Sequence, residues 1–256
     1  MKRVAVGVAL LLAAAPDHGG AIDHTAFDAL LRRHVSAGLV DYDAFEKAPA
    51  FARYLDALAA ADPVTLEPGG RLAYWINVYN AFTIHLINVH GERRSIRNIN
   101  KLLGLIPTKG PWKQPIVRAA NRTLTLDQVE HEILRKRFRE PRIHFALVCA
   151  ARSCPPLRSE AYDGRRLEQQ LEAQARTFLL DSPAHNRVDL AAGIAYVSPI
   201  FDWFAQDFGG RDAVPRFIAR YHPDGPARRL LLSDDVRLVH TPYDWSLNSQ
   251  PAPSGE

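Results

Sequence analysis

The chain has 256 residues, enough for one large domain or two small ones with a proper core. Hydrophobic residues make up 47% and charged residues 23%, a balance that excludes intrinsic disorder. Lys and Arg number 32 against 28 Asp and Glu, and this net charge of +4, spread along the chain, excludes a nucleic-acid footprint.

Lys2 and Arg3 precede an apolar run from Val4 to Ala15, and small residues follow. This pattern predicts a secretory signal peptide over residues 1–21. The run is too short for a comfortable membrane span, and the competing reading is an uncleaved anchor. No cysteine follows it, so a lipoprotein anchor is not on offer. The mature protein is expected to be exported, periplasmic or secreted, with no integral membrane span after signal cleavage. Its two cysteines, Cys149 and Cys154, would then meet an oxidising compartment.

Apolar residues from Ile22 to Val35 fall on one helical face, and Gly38 ends the helix. LVDYDAF (39–45) reads as a short extended turn. A second helix is predicted over Phe51–Ala60. The segment from Arg71 to His90 is apolar nearly all round and should be a central buried helix. Asn77 and Asn80 interrupt it on one face; they either brace neighbouring loops or line a cleft. A short helix is expected over Ile96–Leu103. Residues 116–126 read as a strand, an Ala-Asn-Arg turn and a return. Thr125 and Gln128 form a capping-box pattern that opens a helix to Phe138, with Glu130 inside its apolar stripe. The basic run Arg135–Arg139 is expected to be the solvated end of that helix.

Residues 142–149 alternate as a strand would. Cys149 falls on the heavier apolar face and reads as a core cysteine. His144 lies on the other face, beside the small Ala146. Cys154 sits in a polar loop with Pro155 and Pro156 behind it. Gly164–Leu180 reads as an amphipathic helix, and Arg187–Tyr196 as a hairpin. Pro199 opens a helix that Gly209-Gly210 closes. Asp212 caps another, a strand covers 236–240, and the tail from 249 to 256 is expected to be loose. The fold class expected is α+β: one domain over residues 22–248, a central buried helix packed with a small, mostly antiparallel sheet and hairpins, papain/transglutaminase-like as one form.

Six segments together carry a resemblance: GLVDYDAF (38–45), YWINVYNAFTIH (74–85), LTLDQVEHEIL (124–134), RIHFALVCAARSCPPL (142–157), VSPIFDWFAQDFGG (197–210) and YDWSLN (243–248). The chain resembles bacterial members of the domain of unknown function 547 family over nearly all of its mature length. The residues matching Asn77, Asn80, Glu130, His131, His144 and Cys154 recur as motif positions in that family, which has no settled substrate. The position of Cys149 is less characteristic.

The chemistry these residues suggest is a thiol nucleophile at Cys154, activated by His144, with Glu130 orienting the imidazole. Asn77, Asn80 and His131 would bind or orient the substrate. The reaction class would be amide hydrolysis or acyl transfer on a small-molecule or peptide-like substrate, with no cofactor. Histidine precedes cysteine, the reverse of papain-like enzymes, and Pro155 removes one candidate oxyanion donor. A metal site on Cys149, Cys154, His131 and His144 is the weaker alternative, because the strand would point Cys149 and His144 to opposite faces. A third reading is an exported binding or scaffold domain with a structural Cys/His network.

Overall fold

The computed structural model describes residues 22–100 and 110–251. The expected signal peptide, the end of the helix expected to run to Leu103, and residues 252–256 of the tail lie outside the described residues. The chain forms an α+β domain arranged around one long helix.

Helix α1 (Thr25–His34) leads into a hairpin of β1 (Val35–Ser36) and β2 (Leu39–Val40). Gly38, at φ +79°, turns it; a Cβ there would fall 2.5 Å from Cβ of Pro156, so only glycine lets the hairpin pack on the cysteine loop. Helices α2 (Tyr42–Lys47) and α3 (Pro49–Ala60) follow. The expected extended turn over 39–45 is therefore only half extended. Asp41 accepts a hydrogen bond from the Ala44 N–H at 3.0 Å and caps α2. Phe27 stacks on Tyr54 at 4.8 Å and, with Phe45 and Phe51, ties these three helices together.

The central helix α4 (Pro68–Val89) has Pro68 in its first turn and buries residues on every side, as its unbroken apolar sequence demands. A hairpin of β3 (Val117–Ala119) and β4 (Arg122–Leu124) turns through Ala120 and Asn121, both at positive φ. The capping box then forms as expected. Thr125 Oγ1 accepts from the Gln128 N–H at 3.1 Å, and Gln128 Oε1 from the Thr125 N–H at 2.9 Å. What it opens is a π-helical stretch, Gln128–Leu134, before the short α5 (Arg135–Phe138).

Residues 142–149 are not a strand. They form a single helical turn, α6 (Ile143–Ala146), and then an extended segment. Alternation misled because α6 spans two cores and so has no single inner face. Ile143 and Ala146 pack in the larger core around α4, whereas Phe145 packs in a second core. That second core lies between α7 (Leu167–Leu180), α8 (Ile200–Trp203) and α9 (Val214–Ala219). A three-stranded sheet accompanies it: β5 (Arg187–Asp189) antiparallel to β6 (Ile194–Val197), and β7 (Arg237–His240) parallel to β6. Helix α10 (Pro226–Leu232) was not expected from the sequence. Ser249 pairs with Val40, and the Gln250 N–H donates to Val40 O at 2.9 Å, so the start of the expected loose tail is held on β2. Among the described residues no helix is long and apolar enough to cross a membrane.

Candidate functional site

Asn77 and Asn80 both project from α4 and are buried. Asn77 donates to Tyr162 O at 2.8 Å and accepts from Tyr162 N–H at 2.9 Å. Asn80 does the same for the segment after α6, donating to Ala146 O at 2.9 Å and accepting from Val148 N–H at 3.0 Å. Each amide substitutes for a missing strand partner, so both residues are braces. Asn80 thereby fixes the backbone that leads into Cys149.

Cys149 and Cys154 are joined in a disulfide, with Cα atoms 6.3 Å apart. Ala150, between them, stands at φ 62°, a left-handed conformation that costs a non-glycine residue about 1–2 kcal/mol. The C-terminal segment zips along this loop. Arg152 N–H donates to Ser246 O at 2.8 Å, Asn248 N–H to Ala150 O at 3.1 Å, and Asp244 N–H to Ser153 Oγ at 2.8 Å. That pairing brings Tyr243 to the sulfurs. With no proton on either sulfur, the Tyr243 hydroxyl is the donor, 3.3 Å from Cys154 Sγ and 3.4 Å from Cys149 Sγ. The Cys149 N–H also donates to Cys154 Sγ at 3.1 Å. The expected burial is reversed: Cys154 is 5% exposed and belongs to the core, whereas Cys149 is only half-buried.

His144 is buried and holds neither cysteine. Its ring stacks on Phe204 at 4.0 Å, and its Nε2 pairs with Asp207 at 2.7 Å. Burial lowers the His144 pKa even though Asp207 pulls it upward. Burial alone would raise the Asp207 carboxyl, but hydrogen bonds from His144 and Arg135 outweigh it and hold the group well below the usual carboxylate range. A neutral imidazole thus donates to a carboxylate. Arg135 also grips Asp207, with Nε 2.5 Å from Oδ2, and donates to His131 Nδ1 at 3.2 Å. The basic run expected to be a solvated helix end therefore begins with an inward-facing clasp. Asp207, not Glu130, orients His144.

Glu130 lies in the π-helical stretch, where the Arg135 N–H closes on the Glu130 carbonyl, five positions back. Such widened turns occur at functional sites. Glu130 keeps a little surface open, yet protein crowds its carboxyl. Burial pushes its pKa up to about 7, against a hydrogen bond from Tyr79 and the charge of Arg135. Its charge in turn helps burial to raise the pKa of Tyr243. Half-buried His131, whose pKa burial lowers, stands beside Asp127 and Arg135.

The expected Cys154–His144–Glu130 trio is therefore not assembled. The sulfurs are bonded to each other, His144 is held by Asp207, and no ion pair or hydrogen bond joins Glu130 to His144 among the described residues. The structure adds Asp207 and Tyr243. Neither carries a local signal, because each reaches the site from 63 or more positions away. No group of three or more His, Cys, Asp or Glu side chains placed to hold a metal ion occurs among the described residues.

A bridge that closes so short a loop constrains the unfolded chain only modestly. Its reduction should cost about 2 kcal/mol, which for a domain of this size is a fall in Tm of about 4–8 °C. Calorimetry with and without a phosphine reductant checks this; complete unfolding on reduction would contradict it.

Residues 63–179 match the family model described as a protein of unknown function, DUF547. The matched stretch holds α4, Glu130, His131, His144 and both cysteines; Trp203, Asp207 and Tyr243 lie beyond it. No curated protein and no solved structure matches the chain.

Proposed function

We propose that this chain, a member of the domain of unknown function 547 family through residues 63–179, is an exported thiol–disulfide exchange protein working at Cys149 and Cys154. The observation that carries the reading is the unequal setting of the two sulfurs. Cys149 is the more open one. Cys154 is buried and receives two donors, the Cys149 N–H at 3.1 Å and the Tyr243 hydroxyl at 3.3 Å. The attacked sulfur needs access, and the departing sulfur needs its negative charge stabilised.

A substrate thiolate attacks Cys149 Sγ. The bond to Cys154 breaks, and Cys154 leaves as a thiolate facing its two donors, so the substrate is held by a mixed disulfide to Cys149. A second thiolate of the substrate then attacks the substrate sulfur of that bond and releases Cys149. The substrate dithiol becomes a disulfide, and the protein disulfide becomes two thiols that take up two electrons and two protons. The oxidising compartment implied by the expected signal peptide would favour the joined pair at rest.

Acyl transfer by a Cys-His-Glu trio would need a free thiol beside an imidazole, and both partners are engaged elsewhere. A purely structural domain is the second reading. The observation favouring it is that Asn77 and Asn80 spend their amides on backbone groups.

The test is capture of a peptide that carries an activated mixed disulfide. Cys154→Ser leaves the open thiol and should form the adduct about tenfold faster than Cys149→Ser. Faster capture by Cys149→Ser would reverse the assignment of the sulfurs. No capture by either folded variant would leave the structural reading in place.

A further inference from the structure

Three of the chain's four tryptophans, from separate parts of the sequence, gather beside the disulfide. Trp203, at the end of α8, lies 4.8 Å from the Tyr243 ring and stacks on Trp245 at 5.8 Å and 22°. Tyr243 and Trp245 are 4.6 Å apart, and Trp112 meets Trp245 at 6.1 Å. Arg97 already covers Trp245, its guanidinium 5.2 Å from the ring centre. Trp203 is 46% exposed, whereas Phe201, two residues earlier, is buried in the second core. A single exposed indole calls for no explanation. This one is continuous with the sulfurs, because the Tyr243 ring that it touches carries the hydroxyl that contacts both.

We infer that Trp203, Tyr243 and Trp245 form the docking platform for the thiol substrate, and that this substrate is a cysteine flanked by aromatic or aliphatic residues in an unfolded polypeptide segment. The inference rests on the exchange reading of the same site. The platform offers ring faces, one of them already covered by the Arg97 guanidinium, and so it suits apolar and π surface. Folded proteins bury their cysteines and large apolar side chains; an unfolded segment presents the two together. Tyr243 then serves twice, with its ring in the platform and its hydroxyl at the departing sulfur.

The experiment measures how fast two cysteine peptides, one flanked by Phe and Leu and one by Ser and Gly, open the disulfide of the native protein. Dithiothreitol is the reference thiol. The apolar peptide should react about tenfold faster, about 1.4 kcal/mol of binding. In Trp203→Ala the two peptide rates, each divided by that variant's own dithiothreitol rate, should agree within about twofold, with circular dichroism confirming the fold. Equal rates on the native protein, or a preference that survives Trp203→Ala, would overturn the inference and leave exchange standing. If no thiol, dithiothreitol included, opens the bond in the folded protein, exchange fails. A Cys→Ser analogue of the apolar peptide, followed by tryptophan fluorescence of the native protein, still tests the platform: saturable quenching with the apolar analogue alone supports it, and none overturns it.

Discussion

Asn80→Ala is expected to destabilise the fold more than any other single change at the site. The side chain is 3% exposed, and its two hydrogen bonds satisfy Ala146 O and Val148 N–H. Alanine leaves both backbone groups buried with nothing to replace the amide. Each orphaned group costs about 1–3 kcal/mol, so the loss should be about 2–6 kcal/mol. For a domain of this size that is a fall in Tm of about 4–24 °C. Asn80→Asp tests the mechanism, because it keeps an acceptor for Val148 but loses the donor to Ala146 and adds a buried charge. It should be no more stable than the alanine variant. Urea denaturation of both variants measures the effect, and a loss below about 1 kcal/mol for alanine would show that the segment finds other partners. The same segment feeds Cys149, so a loosened Asn80 variant should also surrender its disulfide to dithiothreitol faster than the native chain.

That coupling explains which parts of the molecule were legible in the sequence. Helix α4 was, because sixteen of its residues are buried and an unbroken apolar run permits little else. The Thr125–Gln128 capping box and the Ala120-Asn121 turn were, because their signals are local. The 142–149 segment was not. Its alternation suits a strand, but the partner that satisfies its backbone is a helix amide 66 positions earlier in the chain, and no period encodes that. The π-helical turn left no trace either, since its residues are ordinary helix formers. Glu130 could be singled out from its place in an apolar stripe, His144 from its neighbour Ala146 and Cys154 from its polar loop, with the family motif in support; their relations could not. Asp207 and Tyr243 take the partner roles that nearness in the sequence had given to Glu130 and to a free thiol. Cys149 and Cys154 exchanged expected roles because the burial of a loop residue depends on what packs over it. Here that cover is the Gly38 hairpin and the 243–248 segment.

Glu130→Gln should change how stability depends on pH, with a sign opposite to that of an ordinary surface carboxylate. The Glu130 pKa rises from 4.5 to about 7 on folding, chiefly because burial disfavours the charged form. Between these values the folded chain retains a proton that the unfolded chain has released. Stability from this group is therefore complete below pH 4.5, declines as pH rises through the window, and is gone above about 7. The full span is worth up to about 3 kcal/mol. Glutamine cannot titrate, so the variant lacks this decline. Asp207 and Arg135, which face Glu130, stay charged throughout the window. His131 and His144 titrate in both proteins and largely cancel in the comparison. The native-minus-variant difference in unfolding free energy, measured in urea at pH 4.5, 6 and 8, should fall with each step and level off above pH 8. At pH 8 the variant should be the more stable protein, because it no longer buries a carboxylate beside Tyr79 and Tyr243. A difference that stays constant with pH would mean that Glu130 titrates alike in the folded and unfolded chain, and that its crowding by Tyr79 carries no electrostatic cost.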